Sequence, residues 1–439
     1  MATGLLMFAA LLALLVLRVH IGIAMFIIGA VGFVAMNDFN WLPLLNALKN
    51  VAYARFSNYD LAVIPLFLLM GQFATNGGLS GALFKCVSNF VGHLRGGVAM
   101  AAVAACAAFG AICGSSLATA ATMGQVALPE LRRYRYSGAL ATGALAAGGT
   151  LGIMIPPSVP LVIYAVLTQE SIGKLFMAAV IPGLIALLGY LIVIRLVVML
   201  RPASGPAGER VPLPVALRSL GGVVPVLLVF LVVIVGIYDG WANPTEAASI
   251  GAAACGLLAV IGGMRTDGVL KSLFGTAQGT AMIFLVLLGA DMLNTGLAVT
   301  QMPAELARWV QGSGLPPLSV VFAILLVYIF LGCVMDSLAM ILLTIPIFYP
   351  VVMGLELWGM SVADKSVWFG ILALMVVEIG LVHPPVGMNI YIINRLAKDV
   401  PVTETFRGVL PFLASDLVRI LLLVFFPALS LVLVHAFGA

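Results

Sequence analysis

Two short segments place oxygen donors inside stretches that are otherwise apolar. Cys113-Gly114-Ser115-Ser116 interrupts the run 97–128, and Gly332 with Asp336-Ser337 interrupts 318–353. Two further runs are broken by consecutive prolines, Pro156-Pro157 within 137–168 and Pro384-Pro385 within 367–394. Paired prolines remove two amide donors and clash with the preceding turn, so a helix opens there and frees carbonyl oxygens. Hydroxyl, carboxylate and carbonyl oxygens are the ligands that sodium and other hard cations take. Helix N-termini in the same region aim amide groups at an anion. These groups suit the binding of a small cation together with an anionic solute.

The interruptions recur. Ser116-Leu117-Ala118 returns as Ser337-Leu338-Ala339, 221 residues later. Gly152-Ile153-Met154-Ile155-Pro156-Pro157 returns as Gly380-Leu381-Val382-His383-Pro384-Pro385, 228 residues later. The chain therefore reads as two repeats, 1–200 and 222–439, joined by a polar linker at 201–221 that is rich in Pro and Gly.

Composition says where these repeats reside. Of 439 residues, 63% are hydrophobic and only 9% charged, against roughly 25% charged in soluble domains. Mean hydropathy is +1.19. The chain is read as an integral membrane protein. The net charge of +4 is spread over short loops without a basic stripe, which sets nucleic-acid binding aside. No Gly-rich phosphate loop follows a strand-like run, and the alternating ten-residue strands of a β-barrel are missing. Five cysteines show no metal-like pairing.

A helix needs about 20 residues to cross the hydrocarbon layer. Runs at or near that length are 5–17, 21–36, 61–77, 137–168, 172–200, 223–238, 245–264, 276–298, 367–394 and 409–434. The first is read as a retained span, because no Lys or Arg precedes Arg18. The arms of 97–128 and 318–353 are short for a crossing and read as re-entrant hairpins, with two ordinary spans and a small-residue turn as the alternative. Fourteen basic residues, among them Arg95, Arg132, Arg133, Arg135, Arg201 and Arg218, fall on one side when the N-terminus is outside, against five on the other. The positive-inside rule then puts the first hairpin on the cytoplasmic side and the second outside, so the repeats are inverted. The expected fold is an all-α polytopic membrane protein with inverted repeats, two re-entrant hairpins and two Pro-Pro broken helices. Such repeats point to a secondary transporter with its site between them.

The chain resembles the large membrane subunit of the tripartite ATP-independent periplasmic (TRAP) transporters over nearly its whole length. The resemblance rests on Phe109-Gly-Ala-Ile-Cys-Gly-Ser-Ser116, Gly149-Thr-Leu-Gly-Ile-Met-Ile-Pro-Pro-Ser158 and Ser171-Ile-Gly-Lys-Leu-Phe176. It continues through Asn243-Pro-Thr-Glu-Ala-Ala248, Met335-Asp336 with Pro346-Ile-Phe348, and Ile379-Gly-Leu-Val-His-Pro-Pro-Val-Gly-Met-Asn389. The resemblance implies an elevator-type, sodium-driven importer of an organic acid (a C4-dicarboxylate, sialic acid or a similar carboxylate) in the bacterial inner membrane. It also implies a four-helix small membrane subunit and a periplasmic solute-binding protein as partners. Carried over by position, one sodium site would use Ser115, Ser116, Gly152 and Pro156. The other would use Asp336, Ser337, Gly380, His383 and Gly387. Substrate would lie near Ser116, Thr119, Ser158 and Asn389. The family has Thr or Ser where this chain has His383.

Other polar residues have simpler readings. Serines in membrane helices often bond to the preceding turn. Asp291 and Glu378 lie mid-span, where a structural and a functional role are equally open. Asp416 and Arg419, three residues apart, read as an ion pair, and 42–55 as an amphipathic helix along the outer interface. An intramembrane protease would need Ser116 against His383, or Asp291 facing Asp336, and no spacing supports either pairing. A stand-alone sodium–anion symporter of the same wider fold is the nearer alternative.

Overall fold

Residues 2–333 and 335–437 are described by the computed structural model, and every regular element among them is a helix. Four helices are long and apolar enough to cross a bilayer alone: Ile172–Leu200, Pro244–Ile261, Thr266–Val299 and Val402–Phe425. Three bent pairs reach that length only together. Tyr59–Asn76 with Leu79–Val91 bends by 65°, Gly138–Met154 with Val159–Thr168 by 41°, and Leu213–Gly222 with Val224–Tyr238 by 54°. Ala2–Val16 and Ile21–Met36 are shorter apolar helices. The run 409–434, expected as one span, is two helices, because Val402–Phe425 stops at Phe426 and Ala428–Phe437 starts anew. Pro427 sits in the break, and a proline pushes the residue before it out of the helical region. Leu42–Phe56 forms as a mostly exposed helix.

Packing divides the helices into two groups. Ile21–Met36 and Val63–Asn76 both pack on Thr266–Val299, and Val63–Asn76 also packs on Pro244–Ile261. Arg55, at the end of Leu42–Phe56, reaches into this group to pair with Asp291. In the second group, Gly97–Cys113 and Ser116–Arg133 fold back on each other as hairpin 1 and pack on Gly138–Met154. Pro317–Gly332 and Ser337–Met353 form hairpin 2 in the same way and pack on Val362–Gly380. The arms then cross over: Ser337–Met353 touches Val159–Thr168, and Ser116–Arg133 touches Met388–Leu396. Each hairpin thus meets both halves of the chain.

The sequence of the two central helices explains their position. From Leu140 to Met154, and from Lys365 to Gly380, every residue is buried. A helix apolar all round belongs in an interior, and the Gly and Ala of GALATGALAAGGTLGIM let neighbours approach closely. One charged pair lies in this core. Arg419 NH2 stands 2.8 Å from Asp416 Oδ1, with both side chains at most 3% exposed. Tyr190 donates to Asp416 Oδ2 at 2.8 Å. Removing one member of such a pair costs on the order of 3–5 kcal/mol, because the other charge is left buried.

The basic loops gather at one end. Gly96 N–H donates to Gly205 O, Ser137 N–H to Ser204 O and Gly208 N–H to Gly92 O, so the linker is stitched to the roots of hairpin 1. Arg132 pairs with Asp399 at the same end. At the other end Lys365 Nζ donates to Met353 O and Leu355 O, and His435 meets Asp364.

Candidate functional site

The two hairpin tips are built alike. Ser115 is the N-cap of Ser116–Arg133, and its Oγ accepts from Ala118 N–H at 3.4 Å. Asp336 is the N-cap of Ser337–Met353, and its Oδ2 accepts from Leu338 N–H at 3.2 Å and Ala339 N–H at 3.4 Å. Ser and Asp are favoured caps because their oxygens satisfy orphan amides of the first turn. Both tips line one cavity of about 230 Å³. Its walls are Ser115, Ser116, Asp336 and Ser337 on one side, with Leu68 and Gln72 of Val63–Asn76 and Gly275 and Met282 of Thr266–Val299 on the other.

Glycines bring each broken helix against its hairpin. A Cβ on Gly110 would sit 2.3 Å from Gly152 Cα, and one on Gly380 would sit 2.4 Å from Gly332 Cα. Real side-chain carbons do not approach backbone that closely, so both contacts demand glycine. Gly152 also packs on the first tip, where a Cβ would lie 2.6 Å from Thr119 Oγ1 and 2.9 Å from Ser115 O. The first broken helix opens between Met154 and Val159, across the cis Pro156-Pro157 bond. The second opens between Gly380 and Met388, across the cis Pro384-Pro385 bond. Gly387 ends that opening at φ +64°, a conformation that other residues rarely adopt.

Of the residues singled out by sequence, Ser115, Ser116, Asp336 and Ser337 line the cavity. Thr119, Gly152, Ser158 and Asn389 lie behind the tips, wholly or almost wholly buried. Three of these carry an oxygen without a hydrogen-bond partner among the described residues: Thr119 Oγ1, Ser158 Oγ and Asn389 Oδ1. Buried polar atoms are nearly always paired, so these oxygens stand out beside the tips. Asn389 Nδ2 donates to Ala146 O at 3.2 Å and ties the second broken helix to the first. Pro156 lies in the buried opening of the first broken helix.

His383 turns toward Cys333 at the tip of hairpin 2. Its Nδ1 contacts Pro384 O and lies 3.6 Å from Cys333 Sγ. Its carbonyl remains close to Gly387, where a Cβ would stand 3.3 Å away. Neither protease pairing forms: Ser116 Oγ bonds to Glu378, and Asp291 is engaged by Arg55. Among the described residues no three His, Cys, Asp or Glu side chains gather as a metal cluster. The donors offered are hydroxyls, carbonyls and the Asp336 carboxylate, a set that fits sodium better than a transition metal.

Sequence reasoning left two polar residues unplaced. Glu378, 1% exposed, accepts a hydrogen bond from Ser116 Oγ at 2.6 Å and another from Ser337 Oγ at 3.3 Å. Its signal was an acid in mid-span. Gln72 faces the tips across the cavity, and its signal was an amide side chain within the apolar run 61–77.

Toward the end away from the basic loops, a second cavity of about 790 Å³ separates Asn294 and Leu297 from Ile345 and Tyr349 of hairpin 2. The tips themselves stand beside Gln72 and Gly275, in the halves of their helices nearer the basic end.

Comparison with known proteins adds four findings. The model of the family described as "Tripartite ATP-independent periplasmic transporter, DctM component" matches residues 8–429. The C4-dicarboxylate TRAP transporter large permease protein DctM of Pseudomonas aeruginosa is 37% identical over 383 residues, covering 87% of each chain. The sialic acid TRAP transporter large permease protein SiaM of Vibrio cholerae is 31% identical over 387 residues, again 87% of each chain. Among solved structures, the YdaH transporter of Alcanivorax borkumensis superposes with a TM-score of 0.56 at 14% identity, covering 90% of this chain and 88% of its own. At that identity the likeness is one of fold.

Proposed function

The chain belongs to the DctM-component family of the tripartite ATP-independent periplasmic transporters, and from that membership we propose that it translocates an organic acid together with sodium. As a TRAP large permease it is a multi-pass membrane transport protein and not an enzyme. The family implies two partners, a small membrane subunit and a periplasmic solute-binding protein that delivers the acid.

The observation that carries the sodium reading is the pairing of two N-capped hairpin tips at one cavity, each tip presenting oxygen donors. On this reading Ser115, Ser116, Gly152 and Pro156 serve one ion, and Asp336, Ser337, Gly380, His383 and Gly387 the other. His383 contributes its carbonyl, because its imidazole is turned to Cys333. Substrate binds between the tips against Ser116, with Thr119, Ser158 and Asn389 supporting the site from behind. A cavity of about 230 Å³ is below the ~300–1,000 Å³ of sites for drug-sized ligands. It favours a short acid such as a C4-dicarboxylate, the solute named for the Pseudomonas relative.

The repeats 1–200 and 222–439, joined at 201–221, are inverted on this account, with the basic end and hairpin 1 cytoplasmic and the N-terminus periplasmic. The group built from Ile21–Met36, Val63–Asn76, Pro244–Ile261 and Thr266–Val299 is the fixed frame. The hairpins and broken helices are the moving body of an elevator. Tips placed toward the basic end, with a cavity of about 790 Å³ at the opposite end, fit the inward position of that body. The test is uptake into proteoliposomes of inner-membrane lipid. Labelled C4-dicarboxylate should enter only when this chain, the small subunit and the binding protein are all present. Transport at the full rate by this chain alone would favour the stand-alone symporter.

A further inference from the structure

We propose that Glu378 is the link between the two tips, a positioning residue that makes two sodium ions bind cooperatively. The inference rests on the sodium reading above and extends it to a residue outside both ligand sets.

Glu378 belongs to the second repeat, yet it bonds across 262 residues to Ser116 in the first and across 41 to Ser337 in its own. Those two serines each begin the second arm of a hairpin. Both are buried, Ser116 at 3% and Ser337 at 8% exposure. A hydroxyl that donates its only proton to a carboxylate keeps its oxygen lone pairs for another partner. Glu378 therefore sets both hydroxyl rotors so that each oxygen is free to accept a cation.

The symmetry of the repeat breaks at this position. The offset of 228 that relates Gly152 to Gly380 relates Thr150 to Glu378. Thr150 Oγ1 donates to Ala147 O at 2.7 Å and lies 3.1 Å from the Tyr190 hydroxyl, away from either tip. One acid thus serves two tips, where strict symmetry would supply two or none.

Among the described residues Glu378 forms no ion pair. The charges that act on it are Arg419 and Asp416, and these are paired with each other. An intramembrane acid without an ion pair is a candidate for function by default. A cation at one tip fixes that serine and, through it, the Glu378 side chain that holds the other serine, so the second ion meets an ordered site.

The test uses the purified complex with its small subunit and reads sodium binding directly, as the denaturation temperature against sodium concentration at constant ionic strength in potassium. Ligand stabilisation reports binding without transport. Wild type should respond with a Hill coefficient approaching 2. Glu378→Gln should bring that coefficient to about 1 and raise half-saturating sodium at least tenfold, while its denaturation temperature in potassium alone stays level or rises. Glu378→Asp keeps the carboxyl but is too short to reach both serines, and it should also lose the cooperative slope. Either variant with wild-type slope and half-saturation overturns the proposal. So does a Glu378→Gln protein that is less stable in potassium but answers sodium normally, since that marks a purely structural bond. A wild type that ignores sodium would instead remove the sodium reading itself.

Discussion

Replacing Gly380 or Gly152 by valine is expected to leave little or no folded protein. The first carbon of a side chain at Gly380 would already stand 2.4 Å from Gly332 Cα and 2.6 Å from its carbonyl carbon. Backbone offers no rotamer to move aside. At Gly152 the obstacles are Thr119 Oγ1 at 2.6 Å and Ser115 O at 2.9 Å. Overpacking a tight core by a few carbons costs about 1–3 kcal/mol and more where nothing yields. Here the affected contacts also align both hairpins on both broken helices. Size-exclusion profiles and thermal midpoints in detergent give the readout, with Gly221→Ala as a control, since no atom lies within 4 Å of the Cβ position there. Alanine at Gly380 should lower the midpoint by several degrees, and valine should remove the monodisperse peak. A valine variant with the wild-type profile would mean that the hairpin and broken helix are not in contact.

Asp336→Asn is expected to preserve folding and subunit assembly while reducing sodium-driven uptake at least tenfold. The substitution separates two roles that the structure gives one side chain. As N-cap, Asp336 accepts from Leu338 and Ala339 amides, and asparagine caps helices about as well as aspartate. As a charge, it faces the cavity shared with Ser115 and Ser116, and asparagine cannot replace that. A tenfold loss corresponds to about 1.4 kcal/mol, modest for one carboxylate near a bound cation. An unchanged melting profile with abolished uptake supports the ion-site role. Wild-type uptake would make Asp336 a cap and nothing else.

Legibility from sequence differs from element to element. The hairpin breaks and the paired prolines were readable because Gly, Ser, Asp and Pro act on the local chain, through caps and lost amides. The Asn243-Pro-Thr-Glu246 motif is of the same kind: Asn243 Oδ1 accepts from Glu246 N–H at 2.8 Å while Glu246 Oε2 accepts from Asn243 N–H at 2.9 Å, a capping box. The break at Pro427 was equally local, but averaging hydropathy over 409–434 concealed it. Glu378 was not readable in its role. Its partners lie 41 and 262 residues away, and the carboxyl meets Ser116 only where Val362–Gly380 crosses the first broken helix, Gly138–Met154 and Val159–Thr168. The pairing of Arg55 with Asp291 is similar, since an amphipathic helix had to fold back onto the frame first. Thr119 and Asn389 could be named from a family pattern, but their unpaired oxygens emerge only from three-dimensional packing.

The most direct measurement of the central claim is uptake of labelled organic acid into vesicles holding the large and small subunits, with loaded binding protein outside. Membrane potential is clamped, and an inward sodium gradient is compared with an equal potassium gradient. If oxygen donors of both tips hold the coupling ions, sodium should drive uptake at least tenfold faster, with a more than first-order dependence on its concentration. Equal uptake in potassium would contradict the account.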